Sequence, residues 1–210
     1  MRKFVWLACL LPLVILQGCE LAVLGGGAAA ITAIEDRRTS GTILDDEGIE
    51  SRVRRGVRER FGDNTHVSVT SFNRNVLLTG EVPDQATREA VEKIVLVNAN
   101  VRGVTNELQV AGVSSLAGRT NDSLITTKVK GRLLDANKVN PVHVKVVTEA
   151  GVVYLMGVVT EQEAADAVET ARTTGGVLKV VKIFEYCKPG DAMCPVRPKP
   201  PAEKTPPPAT

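Results

Sequence analysis

The chain has 210 residues, enough for one domain or two small ones. Hydrophobic residues make up 43% and charged residues 24%, a globular balance that excludes wholesale disorder. With 26 Lys+Arg against 24 Asp+Glu and only 3% aromatics, the chain lacks both the basic excess and the stacking platform of a nucleic-acid binder, so no nucleic-acid partner is expected.

The chain opens on a leader. Arg2 and Lys3 precede an apolar run from Phe4 to Leu16, broken only by Pro12. A membrane-spanning helix needs ~20 apolar residues, so the run is too short to span and has the length and flanks of a secretory signal. Leu16-Gln17-Gly18-Cys19 then resembles the bacterial lipobox, in which a small residue precedes a cysteine that is acylated and becomes the new N-terminus. The reading is a signal peptide over 1–18 with lipidation at Cys19. The alternative is an ordinary signal peptide with a stray cysteine. Glu20 follows the cysteine where an Asp would resemble an inner-membrane retention signal, which points to the outer membrane. Cleavage removes Arg2 and Lys3, so basic and acidic residues balance in the mature chain.

Residues 19–43 read as the lipidated cysteine and a small-residue tether. Gly25-Gly26-Gly27-Ala28-Ala29-Ala30 loosely matches a dinucleotide-binding fingerprint, but that motif needs a buried strand before it and a βαβ unit behind it. Here the supposed strand would start at the lipid anchor, so no such cofactor is expected, and no other cofactor is implied.

The middle of the chain is a duplication. Ile49-Glu-Ser-Arg-Val53-Arg-Arg-Gly-Val57 parallels Ile125-Thr-Thr-Lys-Val129-Lys-Gly-Arg-Leu133. At an offset one residue longer, His66-Val-Ser-Val-Thr70 parallels His143-Val-Lys-Val-Val147, and Val76-Leu-Leu-Thr-Gly80-Glu-Val82 parallels Val153-Tyr-Leu-Met-Gly157-Val-Val159. Two copies make a pair of small domains, not a solenoid. In each, apolar residues recur every four positions on one helical face, and Asp45-Asp46 or Asn121-Asp122 precede them as N-terminal signals. Two alternating strands follow, Val67/Val69 then Val76/Leu78, and Val144/Val146 then Val153/Leu155, with turns at Asn73-Arg-Asn75 and Glu149-Ala-Gly151. Helices are predicted over 84–97 and 161–174, and last strands over 104–110 and 178–186.

The expected fold is α+β: two tandem domains, each α-β-β-α-β, with a three-stranded sheet and both helices on one face. The boundaries are 44–111 for the first domain, 112–120 for a linker and 121–186 for the second. At roughly 65 residues each copy is near the lower limit for a self-sufficient core, which favours packing of one copy on the other.

Residues 187–210 form a cysteine loop and a proline-rich tail. Cys187 and Cys194 flank a Pro189-Gly190 turn signal, and in an oxidising compartment they read as a local disulfide. The alternative, a metal pair, lacks nearby ligands, since the only histidines are His66 and His143, so no metal is expected. Pro195, Pro198, Pro200, Pro201, Pro206, Pro207 and Pro208 leave the tail without a core and favour extended polyproline conformations.

The α-β-β-α-β repeat with its V-x-L-x-G-x-V strand resembles the BON domain. Together with the lipobox, the tether and Ile125-Thr126-Thr127-Lys128-Val129, it resembles the dual-BON outer-membrane lipoproteins. That resemblance implies a non-enzymatic, periplasm-facing protein that binds anionic phospholipid and supports envelope integrity, often around cell division and envelope assembly. It also implies that the lipid contact lies on the first helix of the second domain. The residues permit this. The first helix of copy one balances its five arginines with five acids, whereas Lys128, Lys130, Arg132 and Lys138 outnumber Asp122 and Asp135 in copy two. Ile125, Val129, Leu133 and Ala136 form the core stripe. Leu124, Thr127, Gly131 and Leu134 lie opposite, near Lys128 and Lys138, as an interfacial surface would. These residues and Lys130 are the candidate phospholipid contacts. A solvated helix with two incidental leucines, or a face packed on the other domain, is the competing reading. The competing function is a protein–protein adaptor to outer-membrane assembly, division or cell-wall machinery. No nucleophile elbow, zinc-protease or P-loop motif is present, and duplication accounts for the paired His66 and His143 without catalysis.

Overall fold

The computed structural model describes residues 36–112 and 114–194, which belong to one compact unit. The leader, Cys19, the tether up to residue 35 and the tail beyond Cys194 lie outside the described residues. Helix α1 (Ser40–Phe61), strands β1 (His66–Phe72) and β2 (Asn75–Val82), helix α2 (Gln85–Leu96) and the short strands β3 (Gly103–Asn106) and β4 (Gln109–Val110) make the first domain. Helix α3 (Leu116–Ala136), strands β5 (Val144–Glu149) and β6 (Val152–Val159), helix α4 (Glu161–Arg172) and strand β7 (Lys179–Tyr186) make the second. The order is α-β-β-α-β twice, as the repeat predicts.

Each sheet is centred on its second strand. β2 pairs antiparallel with β1 and parallel with β3 and β4; β6 pairs antiparallel with β5 and parallel with β7. The parallel partner follows from the helix that crosses over between the two strands. In the first domain the last strand is broken rather than continuous over 104–110. Asn106 Oδ1 accepts from Leu108 N at 3.2 Å, and Glu107 N still donates to Leu78 O at 2.9 Å, so the chain bulges without leaving β2.

Both leading helices start earlier than their aspartates suggest. Thr39 caps α1 by accepting from Thr42 N, and Ser115 caps α3 by accepting from Gly118 N, so most of the expected 112–120 linker is helical. The aspartates do something else. Buried Asp46 accepts from Ser71 Oγ (2.7 Å), Asn73 N (2.9 Å) and Arg74 N (2.7 Å); Asp122 accepts from Ala150 N and Gly151 N, both at 2.9 Å. Each clamps a two-residue hairpin loop whose residues all have positive φ: Asn73 (50°) and Arg74 (65°), Ala150 (49°) and Gly151 (75°). Such loops match the twist of the strands but strain a non-glycine residue, and the carboxylate holds them in place.

The motif glycines serve the same hairpins. A Cβ on Gly80 would collide with the His66 carbonyl, and one on Gly157 with the His143 carbonyl. Only glycine lets the second strand pass this close to the start of the first.

The strands bury both faces. Val76, Leu78 and Val82 join Ile49, Val53, Val57, Val91 and Val95 in the first helix-side core. Val153, Leu155 and Val159 join Ile125, Val129, Leu133, Ala167 and Ala171 in the second. The alternate residues build a third cluster, in which Phe72 and Leu77 of the first sheet meet Tyr154, Met156 and Val158 of the second. The two sheets therefore pack face to face with helices outside, which is how two undersized domains complete their cores.

Ion pairs lock the same arrangement. Arg37 reaches from the segment before α1 to Glu163 of α4 through two bonds (2.7 and 3.0 Å) and donates to Val158 O at 2.8 Å. Glu185 of β7 accepts from Asn73, Asn75 and Arg102 of the first domain. Burial pushes the Glu163 carboxyl up, yet hydrogen bonds from His143, Arg37 and Thr160 N, with the Arg37 charge, hold it far below the usual range. After β7, Cys187 and Cys194 are joined as a disulfide with Cα atoms 6.1 Å apart, around a turn in which Gly190 has φ 96°. Cys187 packs against the inter-sheet cluster.

Candidate functional site

Helix α3 is pinned by one face and by its flanks. Ile125, Val129 and Leu133 are buried. Thr126 Oγ1 donates to Thr148 of β5 at 2.7 Å, and Arg132 reaches over to Thr170 O, Thr173 and Thr174 at the end of α4. What remains outward is the face that the sequence singles out: Leu124, Thr127, Lys128, Lys130, Gly131 and Leu134 are all exposed. Leu124 and Leu134 keep 55% and 64% of their surface accessible, so they are not packed on the other domain.

Polarity on this face is arranged so that the cations stand alone. The Thr127 hydroxyl donates back to Ser123 O at 2.9 Å, which turns its hydrogen-bonding capacity inward. Lys128 and Lys130 make no hydrogen bond or ion pair with any described residue. Lys138 lies beyond the end of the helix. Past the left-handed Asn137 cap the chain turns back, and Lys138 lies 3.4 Å from Asp166 on α4, away from the leucine ridge. In the helix of copy one, Arg54 pairs with Glu50 at 2.8 Å, Arg52 reaches Asn98 and Arg60 lies over the Phe61 ring, while the side chains of Arg55 and Arg58 have no partner among the described residues and stand without any exposed leucine at the matching positions.

Beside the ridge lies an open groove of about 660 Å³. Thr127, Lys130, Gly131 and Leu134 form its α3 wall, and Pro141 and Val142 face them. A Cβ on Gly131 would meet nothing within 4 Å. Glycine inside a helix costs about 1 kcal/mol relative to alanine, so nothing within the chain requires it here. The groove's remaining residues, Arg38, Phe72 and Lys145, could not be found by reading one helix. Arg38 arrives from the segment before α1 and stacks 4.0 Å over the Phe72 ring while paired with Asp36 and Asp46. Burial alone would weaken the Arg38 charge, but the two aspartates reinforce it. Lys145 is held by Glu50 at 2.8 Å. Among the described residues, Lys130 is thus the uncommitted cation at the groove.

His66 and His143 stand where the duplication places them. His66 Nδ1 is 3.1 Å from Glu81 Oε2, and buried His143 lies against Glu163. No helix among the described residues is long and apolar enough to cross a membrane.

Comparison with known proteins fits this architecture. The BON domain family matches residues 45–112 and again 121–188. An outer membrane lipoprotein, DolP, of Haemophilus influenzae is 39% identical over 175 residues, which cover 82% of this chain and 91% of that protein. A 21 kDa hemolysin of Actinobacillus pleuropneumoniae is 33% identical over 153 residues, 72% of this chain and 79% of its own length. Osmotically-inducible protein Y of Escherichia coli is 34% identical over 144 residues, 67% of this chain and 72% of its own length. The paired domains and the extent of that identity show that the chain belongs to the BON-domain family, as a dual-BON, DolP-like protein of the cell envelope.

Proposed function

We propose that this protein is anchored through acylated Cys19 to the outer membrane, faces the periplasm, and binds anionic phospholipid with the outward face of α3, supporting envelope integrity by binding rather than catalysis. The observation that carries this reading is the pairing of two uncommitted lysines, Lys128 and Lys130, with two exposed leucines, Leu124 and Leu134, on one helix face. Leucines at that exposure enter the acyl boundary while the lysines meet phosphate, the geometry of an interfacial helix. The 660 Å³ groove beside Gly131 leaves room for a headgroup or the first part of a chain.

The test is flotation with vesicles of phosphatidylglycerol and phosphatidylethanolamine, using a soluble form that begins at Glu35 so that the anchor does not mask the helix. Leu124→Glu combined with Lys128→Glu spares Ile125, Val129 and Leu133. Each cation at an anionic surface contributes ~1 kcal/mol, so reversing one and removing an apolar contact should weaken binding at least ~10-fold. Binding should also weaken with salt. If the double variant keeps its circular dichroism and floats like wild type, α3 is not the lipid site and the adaptor reading takes first place.

A further inference from the structure

The apolar contact between the two sheets gives way at one end to a polar cluster that the lipid reading does not use. His66 opens β1, Glu81 lies near the end of β2, and Glu149 closes β5 in the other domain. One ligating atom from each falls within 4.8 Å of the others. Glu81 and Glu149 are only 6% and 8% exposed. Glu81 has partners: His66 Nδ1 at 3.1 Å and Ser114 N, which donates at 3.2 Å. Glu149 has no cationic side chain paired with it among the described residues. Burial pushes its carboxyl up; His66 opposes this, and the charges of Glu81 and Asp122 add to it. Two buried carboxylates this close repel each other unless a proton or a cation sits between them.

A separate observation points the same way. Thr79 is 1% exposed and projects from the same face of β2 as Glu81; its hydroxyl faces the Glu149 carboxylate and helps to lower its pKa, but it closes a well-formed hydrogen bond with no described residue. A buried hydroxyl so weakly partnered is costly unless something completes it. The cluster also has an entrance, a cleft of about 280 Å³ bordered by His66, Glu149 and Ser123 of α3. The other charged groups at the cleft are committed: Arg119 to Ser114, and both Asp122 oxygens to the β5–β6 turn. Duplication does not account for the cluster. The counterpart of Glu81 in the second domain is Val158, and the counterpart of Glu149 in the first is Phe72.

We infer that His66, Glu81 and Glu149 form a divalent-cation site of the zinc class that bridges the two domains, with the Thr79 hydroxyl at its edge. One imidazole and two carboxylates make a donor set that zinc accepts, and the fourth position is left to water. Ser114 N would orient Glu81 as an outer-shell donor does. Since the ligands come from two domains, the bound ion would hold the sheets together.

The experiment uses full-length protein in detergent with its disulfide intact. Zinc chloride is added, free metal is removed, and retained zinc is counted by atomic emission beside a thermal unfolding scan. Wild type should keep one zinc per chain and unfold at a higher temperature with zinc than with chelator. Glu149→Gln keeps the shape and removes a ligand. It should lose at least the ~10–100-fold in affinity that weaker, outer-shell changes cost, together with the thermal shift. His66→Gln should do the same and serves as the reading if Glu149→Gln does not fold. Glu163→Gln, at the other histidine–glutamate contact, should retain zinc. A wild type that keeps no zinc, or a His66→Gln or Glu149→Gln protein that keeps as much as wild type, overturns the site.

Discussion

Gly131→Glu separates the fold from the lipid surface in a single substitution. Gly131 lies inside α3, on the exposed face, with open space where a side chain would go. Replacing glycine by glutamate in a helix interior gains roughly 0.5 kcal/mol of helix propensity. The new carboxylate would have Lys128 three residues before it and Asp135 four residues after it, an attraction and a repulsion that largely cancel. The fold should therefore be stabilised, by roughly 1–2 °C in Tm for a unit of this size. At the membrane the sign reverses. One added negative charge beside Lys130 offsets about one cation, ~1 kcal/mol or about fivefold in affinity. The loss should shrink as salt rises, because the groups are exposed. Gly131→Ala is the control, with about 1 kcal/mol of added stability and no change in charge. Circular dichroism melts and vesicle cosedimentation at two salt concentrations read both quantities. A Gly131→Glu protein that is destabilised shows the position is not open, and one that binds like wild type at low salt removes this face from the lipid contact.

Two further outcomes test the frame that holds α3. Leu77 and Met156 are both buried and share the cluster between the sheets, so Leu77→Ala and Met156→Ala should each cost about 2–5 kcal/mol in denaturant melts. As members of one cluster drawn from both sheets they should couple by about 0.5–3 kcal/mol in a double-mutant cycle, and strict additivity would mean that the sheets do not share a core. Glu163→Gln should destabilise the protein at neutral pH by about 1.5–3 kcal/mol, the worth of charged hydrogen bonds, by weakening the Arg37 clamp. Because the folded Glu163 carboxyl sits below its ordinary value of 4.5, its contribution is present above that value and is lost as pH falls through and below it. Wild-type Tm should thus drop more steeply than that of Glu163→Gln from about pH 5 downward, and parallel curves would show that Glu163 is not paired.

The duplication, the element order and the exposed face of α3 were legible because each rests on local periodicity: Ile125, Val129 and Leu133 at helical spacing, Val76, Leu78 and Val82 at strand spacing. The errors lie where a local signal serves a distant partner. Asp46 and Asp122 look like helix caps, but they sit inside helices and hold hairpin loops some 28 residues on. Their role depends on the helix packing over its own hairpin, which no short window contains. Lys138 follows the periodicity of α3 but leaves the helix at Asn137 and pairs with Asp166 instead. Arg38 and Phe72 in the groove, and Glu149 beside His66 and Glu81, are joined only by the packing of one sheet on the other.

That packing also frames why the lipid contact is proposed for the second domain. The fold asks the same of α1 and α3, an inward stripe that is Ile49, Val53 and Val57 in one and Ile125, Val129 and Leu133 in the other. It asks nothing of the outward faces, where the copies have diverged. Positions Gly48, Arg55 and Arg58 of α1 correspond to Leu124, Gly131 and Leu134 of α3. A solvated helix gains nothing from exposed leucines, and α1, on the same scaffold, has Gly48 and Arg58 where α3 has Leu124 and Leu134. The exposed leucines of α3, beside two lysines without partners among the described residues, are therefore not a requirement of the BON fold. They mark a surface free to serve something outside the chain, and lysines beside exposed leucines complement the anionic bilayer proposed as its partner.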